Sequence, residues 1–479
     1  MDMYWACFLH FYQPPTQKKY WVDRITKEAY RPIMLKLLEN PSAKLTINIA
    51  AVLLELWEKY DYQDVIAGYR KLLERGQIEL TGSAKFHPLL PKIPDEEIIR
   101  QIHLNEETLK HYFPSLQKLK GFFPPEMAYE ARVAKIVASL GYEWIIAEEL
   151  SFSQEFGKVN YSKIYEVEGA VKPDGALLKI FFRERGFSYK VLSGQLGTVN
   201  LFLNDLGDRV NRKNYLLTAM DGETFGHHRP GMERLLADLF STPGVEMTKI
   251  SELPDIFKDR EATKTYPSTW ALMEKDVTKN IPFSRWDDPE NEIHQLQWQL
   301  TSLAIKTVTA GFTPAAEPCD FSKVAEVNSA VTSSMQKASL EARLLLDRAI
   351  HSDQYWWASA RPWWSLEMIE RGAKELKDSV YLCPNATEAN KKKAEELYLK
   401  IIVTGFDWQR SGKVDELSHK EDEEVRMRTD EGLPKLPKVE VEKMVANLKK
   451  EMEEVARSEE FERAALLRDR IKELREYTD

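Results

Sequence analysis

Two acidic side chains in this chain stand where a backbone delivers groups to a cleft. Asp221 lies in Tyr215-Leu-Leu-Thr-Ala-Met-Asp-Gly-Glu-Thr-Phe-Gly-His-His-Arg-Pro-Gly231, and Glu126 follows Phe122-Phe-Pro-Pro125. The Asp221 stretch begins as a five-residue apolar run, Tyr215 to Ala219, and breaks into a glycine-bearing polar turn. That pattern reads as a buried strand that ends at a site. Glu126 has the same entry, with two prolines preventing a helix from covering it. An acid on a loop is ordinarily a solvated charge, so position and company must decide. Two carboxyls facing one cleft are the minimal machinery for cleaving a glycosidic bond. One attacks the anomeric carbon or activates water, and the other, held protonated by its surroundings, donates to the leaving oxygen.

Histidines accompany these acids at His10, His87, His227 and His228. None falls in a His-x-x-x-His or His-Glu-x-x-His frame, so a zinc site is not expected. Imidazole and indole suit sugar recognition better, offering an apolar face and a directed hydrogen bond. No Gly-x-Gly-x-x-Gly, phosphate-cradling Gly-Lys-Ser/Thr loop or Gly-x-Ser-x-Gly elbow occurs, so no nucleotide or other cofactor is expected.

The elements that must hold these groups alternate over residues 1 to about 265. Strands are expected at Trp5–Leu9, Lys44–Ile49, Gln77–Thr81, Leu119–Phe123, Trp144–Ala147, Leu178–Phe182, Tyr215–Ala219 and Val245–Thr248. Helices are expected at Val65–Arg75, Glu96–His111 and Ala131–Leu140. The alternation predicts a parallel sheet, and seven or eight units predict a closed or nearly closed β/α barrel. His10, Ser83, Glu126, Arg183 and Asp221 all fall just beyond the carboxyl end of an expected strand, the rim where parallel barrels build sites. Residues 266–289 read as a Trp- and Pro-rich loop near that mouth.

From Asn291 onward apolar residues recur at helical spacing, which predicts a helical bundle packed on the barrel. Between two of its helices lies His351-Ser-Asp-Gln-Tyr-Trp-Trp-Ala-Ser-Ala-Arg-Pro-Trp-Trp364. Its aromatics serve either as glue between bundle and barrel or as part of a substrate site. Residues 411–438 read as a charged, Gly- and Pro-bearing linker. Residues 439–479 read as two amphipathic helices, the second capped by Ser458. Such a hairpin is too small to stand alone and needs an apolar partner surface.

Composition narrows the classes further. The formal net charge of -9 over 479 residues argues against a nucleic-acid binder. The three cysteines, Cys7, Cys319 and Cys383, form no disulfide or metal pattern, which suits a cytoplasmic protein. No apolar run approaches the length that crosses a bilayer, and no leader peptide is evident.

Taken in order, several stretches resemble glycoside hydrolase family 57, a family of enzymes acting on α-glucans. His10-Phe-Tyr-Gln-Pro14 is similar to its first motif, and Gly76-Gln-Ile-Glu-Leu-Thr-Gly-Ser83 with His87-Pro88 to its second. Gly121-Phe-Phe-Pro-Pro-Glu126 resembles the third, Met220-Asp-Gly-Glu-Thr-Phe-Gly-His227 the fourth, and Ser352-Asp353 with Trp356-Trp357 the fifth. The resemblance covers about 410 residues. It implies a (β/α)7 barrel over 1–289, a helical bundle over 290–410, and a retaining α-amylase or 4-α-glucanotransferase acting on α-1,4-glucans. Glu126 would be the nucleophile and Asp221 the acid/base. His10 and Asp353 would contact substrate, as would His87, Arg183, Glu223, His227, Trp270 and Trp357. One departure stands in the first motif, where Tyr12 replaces the family's second histidine.

Phe461-Glu-Arg-Ala-Ala-Leu-Leu-Arg-Asp-Arg-Ile-Lys472 resembles the UVR helical hairpin, which implies a protein–protein contact or self-association. Two further readings follow. The Tyr12 departure and the hairpin fit a catalytically weak carbohydrate-binding regulator. A polysaccharide deacetylase would need an Asp and two His at metal spacing, which the sequence lacks.

Overall fold

The structure, a computed structural model, describes residues 3–310, 334–361, 363–419, 437–457 and 459–476. Most of the expected linker, residues 420–436, and the expected cap Ser458 lie outside these residues. Ten strands are present: β1 (Met3–Phe11), β2 (Leu45–Ile49), β3 (Ile78–Leu80), β4 (Gly121–Phe122), β5 (Trp144–Glu148), β6 (Ile164–Val171), β7 (Leu177–Arg183), β8 (Asn214–Asp221), β9 (Glu246–Met247) and β10 (Arg260–Thr263). They form two five-stranded sheets. The first runs β3-β2-β1-β8 with β9 also beside β1, and the second runs β10-β6-β7-β5-β4.

The core strand is β1, buried along its length except at Tyr4. A near-continuous apolar strand must be covered on both faces, and β1 pairs in parallel with β2, β8 and β9. The pairing aligns His10 with both Asn48 and Asp221, so three polar residues meet at one end of the sheet.

Two strands, β6 and β10, are not legible from apolar runs. In β6, buried and exposed residues mix, and Glu166 and Glu168 mask the signal. The second sheet is also not wholly parallel as expected, since β6 and β7 are antiparallel. The reason is local: Lys172-Pro-Asp-Gly-Ala176 makes a tight reversal, with Gly175 at φ 84°. Among the described residues no ladder closes the sheets into one barrel. A single parallel bridge between Gly82 and Phe122 joins β3's end to β4, and the Glu184 amide donates to the Leu217 carbonyl (2.8 Å) across the other flank.

The C-terminal region is helical, with Glu292–Thr309, Ser334–Ala349, Leu366–Leu382 and Glu388–Ser411. Gly412 stops the last of these in the left-handed conformation. A buried ion network docks this region on the Asp95–Tyr112 helix. Arg343 forks onto Glu97 and Asp347, while Arg100 reaches Asp347 from the other side (2.8 and 2.7 Å).

Helices Lys438–Arg457 and Phe461–Glu476 form the terminal hairpin, sealed by a core of its own that includes Val441, Leu448, Leu467 and Ile471. It rests on the β/α region through polar contacts. Thr198 Oγ1 and Asn200 Nδ2 donate to Glu440 (2.6 and 3.1 Å), and Arg463 bridges Glu451 (2.8 Å) and Glu233 (3.8 Å). A Cβ on Gly231 would stand 2.6 Å from Leu448 Cδ2, so glycine there admits the hairpin. A cavity of about 410 Å³, lined by Arg229, Lys443, Asn447 and Arg470 among others, remains between the two.

Candidate active site

Four separate segments converge on Glu126. Its own turn, Pro125–Met127, leaves β4 with Glu126 at φ 59° and ψ 15°, a left-handed conformation for a residue with a Cβ. Strain of this kind persists only where the surroundings enforce it. His87, also left-handed at φ 58°, faces the same carboxylate, with Nδ1 3.6 Å from Glu126 Oε1. The third segment is 268–270. Ser268 bridges to Tyr129, and the Trp270 indole N–H donates to Glu126 Oε2 (3.1 Å). The fourth comes from the helical region. His351 bridges to Pro88 and the Ser352 amide donates to the His87 carbonyl (2.9 Å), which sets Ser352 Oγ 2.9 Å from Glu126 Oε1.

His10 sits behind this cluster. Its Nδ1 meets Asn48 Oδ1 (2.8 Å) and its Nε2 meets His87 Nε2 (3.1 Å), while His87 Nδ1 meets Ser352 Oγ (3.0 Å). Tyr12, the residue that departs from the family motif, stacks on His87 at 4.0 Å and donates its hydroxyl to Asp353 Oδ2 (2.5 Å). His351 Nδ1 also meets Asp353 Oδ2 (3.1 Å).

Asp221 is the last residue of β8, so the strand runs two residues past the expected end at Ala219 and Asp221 lies within it rather than just beyond it. Glu223 is buried and its Oε1 accepts from Gln13 Nε2 (2.9 Å) and from the Tyr30 hydroxyl. Arg183 is buried under the rim, donating from Nε to the Ala219 carbonyl (2.8 Å) and from Nη1 to Glu148 (2.8 Å). It therefore braces β8 just before Asp221. His227 pairs with Glu28 and stands edge-on to Trp21, and Trp357 stands edge-on to Trp363. No hydrogen bond or ring contact among the described residues ties His227 or Trp357 to Glu126. Ser352, Asn48, His351, Gln13 and Tyr30 are the site residues that sequence reasoning left without a role. Register was the missing signal for Asn48, and Ser352 is defined by a contact 226 residues away in sequence.

The electrostatics follow from burial. Burial pushes the Glu126 carboxyl up to about 8, with the Asp353 and Asp221 charges adding to the effect. Burial likewise raises Asp221 above the usual carboxylate range, and the Arg183 guanidinium pulls it back. Glu223 is raised by burial and then by Asp221. Burial lowers both His10 and His87, the latter to about 4, so both rings are neutral near pH 7. For Asp353 burial works upward, but the bond from His351 and the nearby imidazoles hold it below its ordinary value. The cluster thus holds a protonation-poised carboxyl at Glu126, a second carboxyl at Asp221 and an ionised one at Asp353.

Comparison with known proteins gives the family. The model of Glycosyl hydrolase family 57 matches residues 9–265, and that of the UvrB/uvrC motif matches residues 442–477. An alpha-amylase of Pyrococcus horikoshii is 25% identical over 229 residues, covering 48% of this chain and 35% of the amylase. A 4-alpha-glucanotransferase of Thermococcus litoralis is 30% identical over 147 residues, covering 30% of this chain and 21% of that enzyme. The matched stretch thus spans about a third or less of these relatives' length. Among solved structures, a family 57 branching enzyme of Pyrococcus horikoshii superposes with a TM-score of 0.59 at 15% identity, covering 85% of this chain and 95% of that one. The Thermococcus litoralis glucanotransferase gives 0.55 at 17% identity over 79% and 58%. With the family model spanning more than half of its length, the chain belongs to glycosyl hydrolase family 57.

Proposed function

We propose that this protein is a retaining glycosidase or glucanotransferase acting on α-1,4-glucans, with its two sheets forming the walls of a (β/α)7-type catalytic barrel. Glu126 attacks the anomeric carbon and forms the glycosyl-enzyme. Asp221 protonates the departing sugar oxygen, then takes a proton from the incoming water or sugar hydroxyl. His10, His87, Trp270 and Asp353 line the cleavage point. The observation that carries the reading is the convergence of three other segments on the strained, half-buried Glu126, whose carboxyl is raised in part by the charge of Asp221. Family membership supports the substrate class.

Glu126→Gln leaves the strained turn and both neighbouring donors in place but removes the nucleophile. Asp221→Asn removes the proton donor. Turnover of maltooligosaccharides is expected to fall by about 10²–10⁴-fold or more in each, with an unchanged circular-dichroism spectrum. Near-normal activity in either variant overturns the assignment. Product analysis by chromatography separates the two outcomes of the chemistry, since shorter sugars alone mean hydrolysis and longer ones mean transfer.

The raised Glu126 carboxyl favours a second reading, in which Glu126 is the acid and Asp221 the nucleophile. A slow-turnover fluorinated glycosyl fluoride decides between them. Peptide mass mapping of the trapped enzyme is expected to find the sugar on Glu126, and finding it on Asp221 reverses the roles.

A further inference from the structure

The terminal hairpin meets the β/α region closely at two places and leaves a cavity between them. A Cβ on Gly197 would stand 2.3 Å from Met444 Sδ, and one on Gly231 2.6 Å from Leu448 Cδ2. Between these contacts a volume of about 410 Å³ stays open, within the size range of small-molecule sites. Four cationic side chains line it against two acids. Arg229 and Arg234 come from the β/α region and Lys443 and Arg470 from the hairpin, while the acids are Asp238 and Glu440. Both acids are already engaged. Glu440 accepts from Thr198, Asn200 and Lys443, and Asp238 lies in the field of Arg234 and Lys36. Arg229 and Arg470 converge from opposite walls, since a Cβ on Gly194 would stand 3.0 Å from Arg470 Nη2 and 3.9 Å from Arg229 Nε. Each is anchored from behind, Arg229 Nε on the Leu192 carbonyl (3.0 Å) and Arg470 Nη1 on Glu473. Like charges that meet across an interface oppose docking, and an anion placed between them turns the repulsion into a bridge. Planar guanidiniums suit phosphate oxygens in particular. The apolar part of the wall, with Val199, Met444 and Leu474, suits an organic body attached to that phosphate.

We propose that this cavity binds a phosphomonoester with a small organic body, whose phosphate clamps the hairpin to the loop behind Asp221. Arg229 stands on that loop. Phe225 bridges to Arg229, and the His227 and His228 amides donate to the Glu223 carbonyl (3.1 and 2.7 Å). The loop is thus a tied turn that runs from Arg229 back to Glu223 and Asp221. A phosphate held by Arg229 and Arg470 steadies this turn and the hairpin together, so occupancy of the cavity couples hairpin docking to the element that carries the second carboxyl. The site shares no lining residue with the cluster around Glu126, and it stands whichever carboxyl is the nucleophile.

Glucose 6-phosphate and AMP, each titrated into the full chain, are the probes, with glucose and inorganic phosphate as controls. At least one probe is expected to bind saturably in calorimetry and to slow hydrogen exchange of the hairpin amides. Inorganic phosphate is expected to bind more weakly, and glucose to leave the hairpin amides unchanged. Arg470→Gln is expected to weaken probe binding about tenfold or more. That variant also touches the docked interface, so a second position carries the decision. Asn447 is exposed on the cavity rim and takes no part in the Glu440 or Arg463 contacts. Asn447→Asp is expected to weaken binding about two- to fivefold and Asn447→Lys to strengthen it by as much. Hairpin exchange that neither probe changes overturns the site, as does an affinity indifferent to the sign of charge at position 447. Inorganic phosphate binding as tightly as both probes overturns the ligand assignment. The amides of residues 222–229 are expected to slow together with the hairpin, and slowing confined to the hairpin overturns the coupling. None of these readouts uses turnover, so a failure of the glycosidase reading leaves them standing.

Discussion

Glu126 concentrates the conflict between stability and chemistry in one residue. Its backbone is left-handed and its carboxyl is pushed up to about 8 by burial and neighbouring acids. Because the folded form binds the proton more tightly than the unfolded chain, stability is full below the ordinary glutamate value and falls as pH rises toward 8. The loss is at most about 1.4 kcal/mol per pH unit in that window. A neutral amide escapes it. Glu126→Gln is therefore expected to melt about 2–4 °C or more above the parent at pH 8 and to converge with it near pH 4, as read by calorimetry. Equal melting at both pH values contradicts a raised Glu126 carboxyl. The Tyr12 phenol stacks on His87 and donates to Asp353.

Among elements, the helical region is the less obvious contributor to the site. It supplies Ser352 and Asp353 from a turn tied to His87 and Pro88. The ion network at Arg343, Glu97, Asp347 and Arg100 lies one helix turn upstream and fixes how that turn approaches Glu126. Removing one partner of a buried network leaves acids without compensation, which costs about 3–5 kcal/mol. Arg343→Leu is expected to lose that much in denaturant titration and to lower kcat/KM by up to about 10²-fold through misplacement of Ser352 and Asp353. Unchanged kinetics in a destabilised variant would show that the network holds the fold but not the site.

For the whole molecule, the terminal hairpin sits on the loop that follows Asp221, against Gly231 and the buried Glu233. Glu233 is raised by burial and by Glu451 across the interface, with Arg463 opposing. The docked state thus holds a proton that the undocked state releases, so docking is strongest below the ordinary glutamate value and weakens as pH rises from there to about 8. The docking constant is expected to fall by up to about tenfold per pH unit across that window and to level off above it. Hydrogen exchange of the hairpin amides reads this directly, and Glu233→Gln is expected to remove the dependence. Protection that is flat with pH in the parent rules the carboxyl pair out as the cause.

The sequence by itself determined most of the elements and the family, and it singled out Glu126 and Asp221 as candidates. Apolar runs mark strands because burial on both faces leaves no polar alternative, as in β1 and β8, and helical spacing marks the C-terminal region for the same reason. Those signals fail where pattern is mixed, so β6 and β10 escaped notice, and Pro173-Asp-Gly175 turned one pair antiparallel. The polar contacts around Glu126 were not legible at all. Asn48 faces His10 only through strand register, and Ser352 reaches Glu126 only because the helical region folds back across 226 residues of chain. Hydrogen-bond direction depends on which atoms meet, and those meetings are made by tertiary packing that residue type and spacing do not encode.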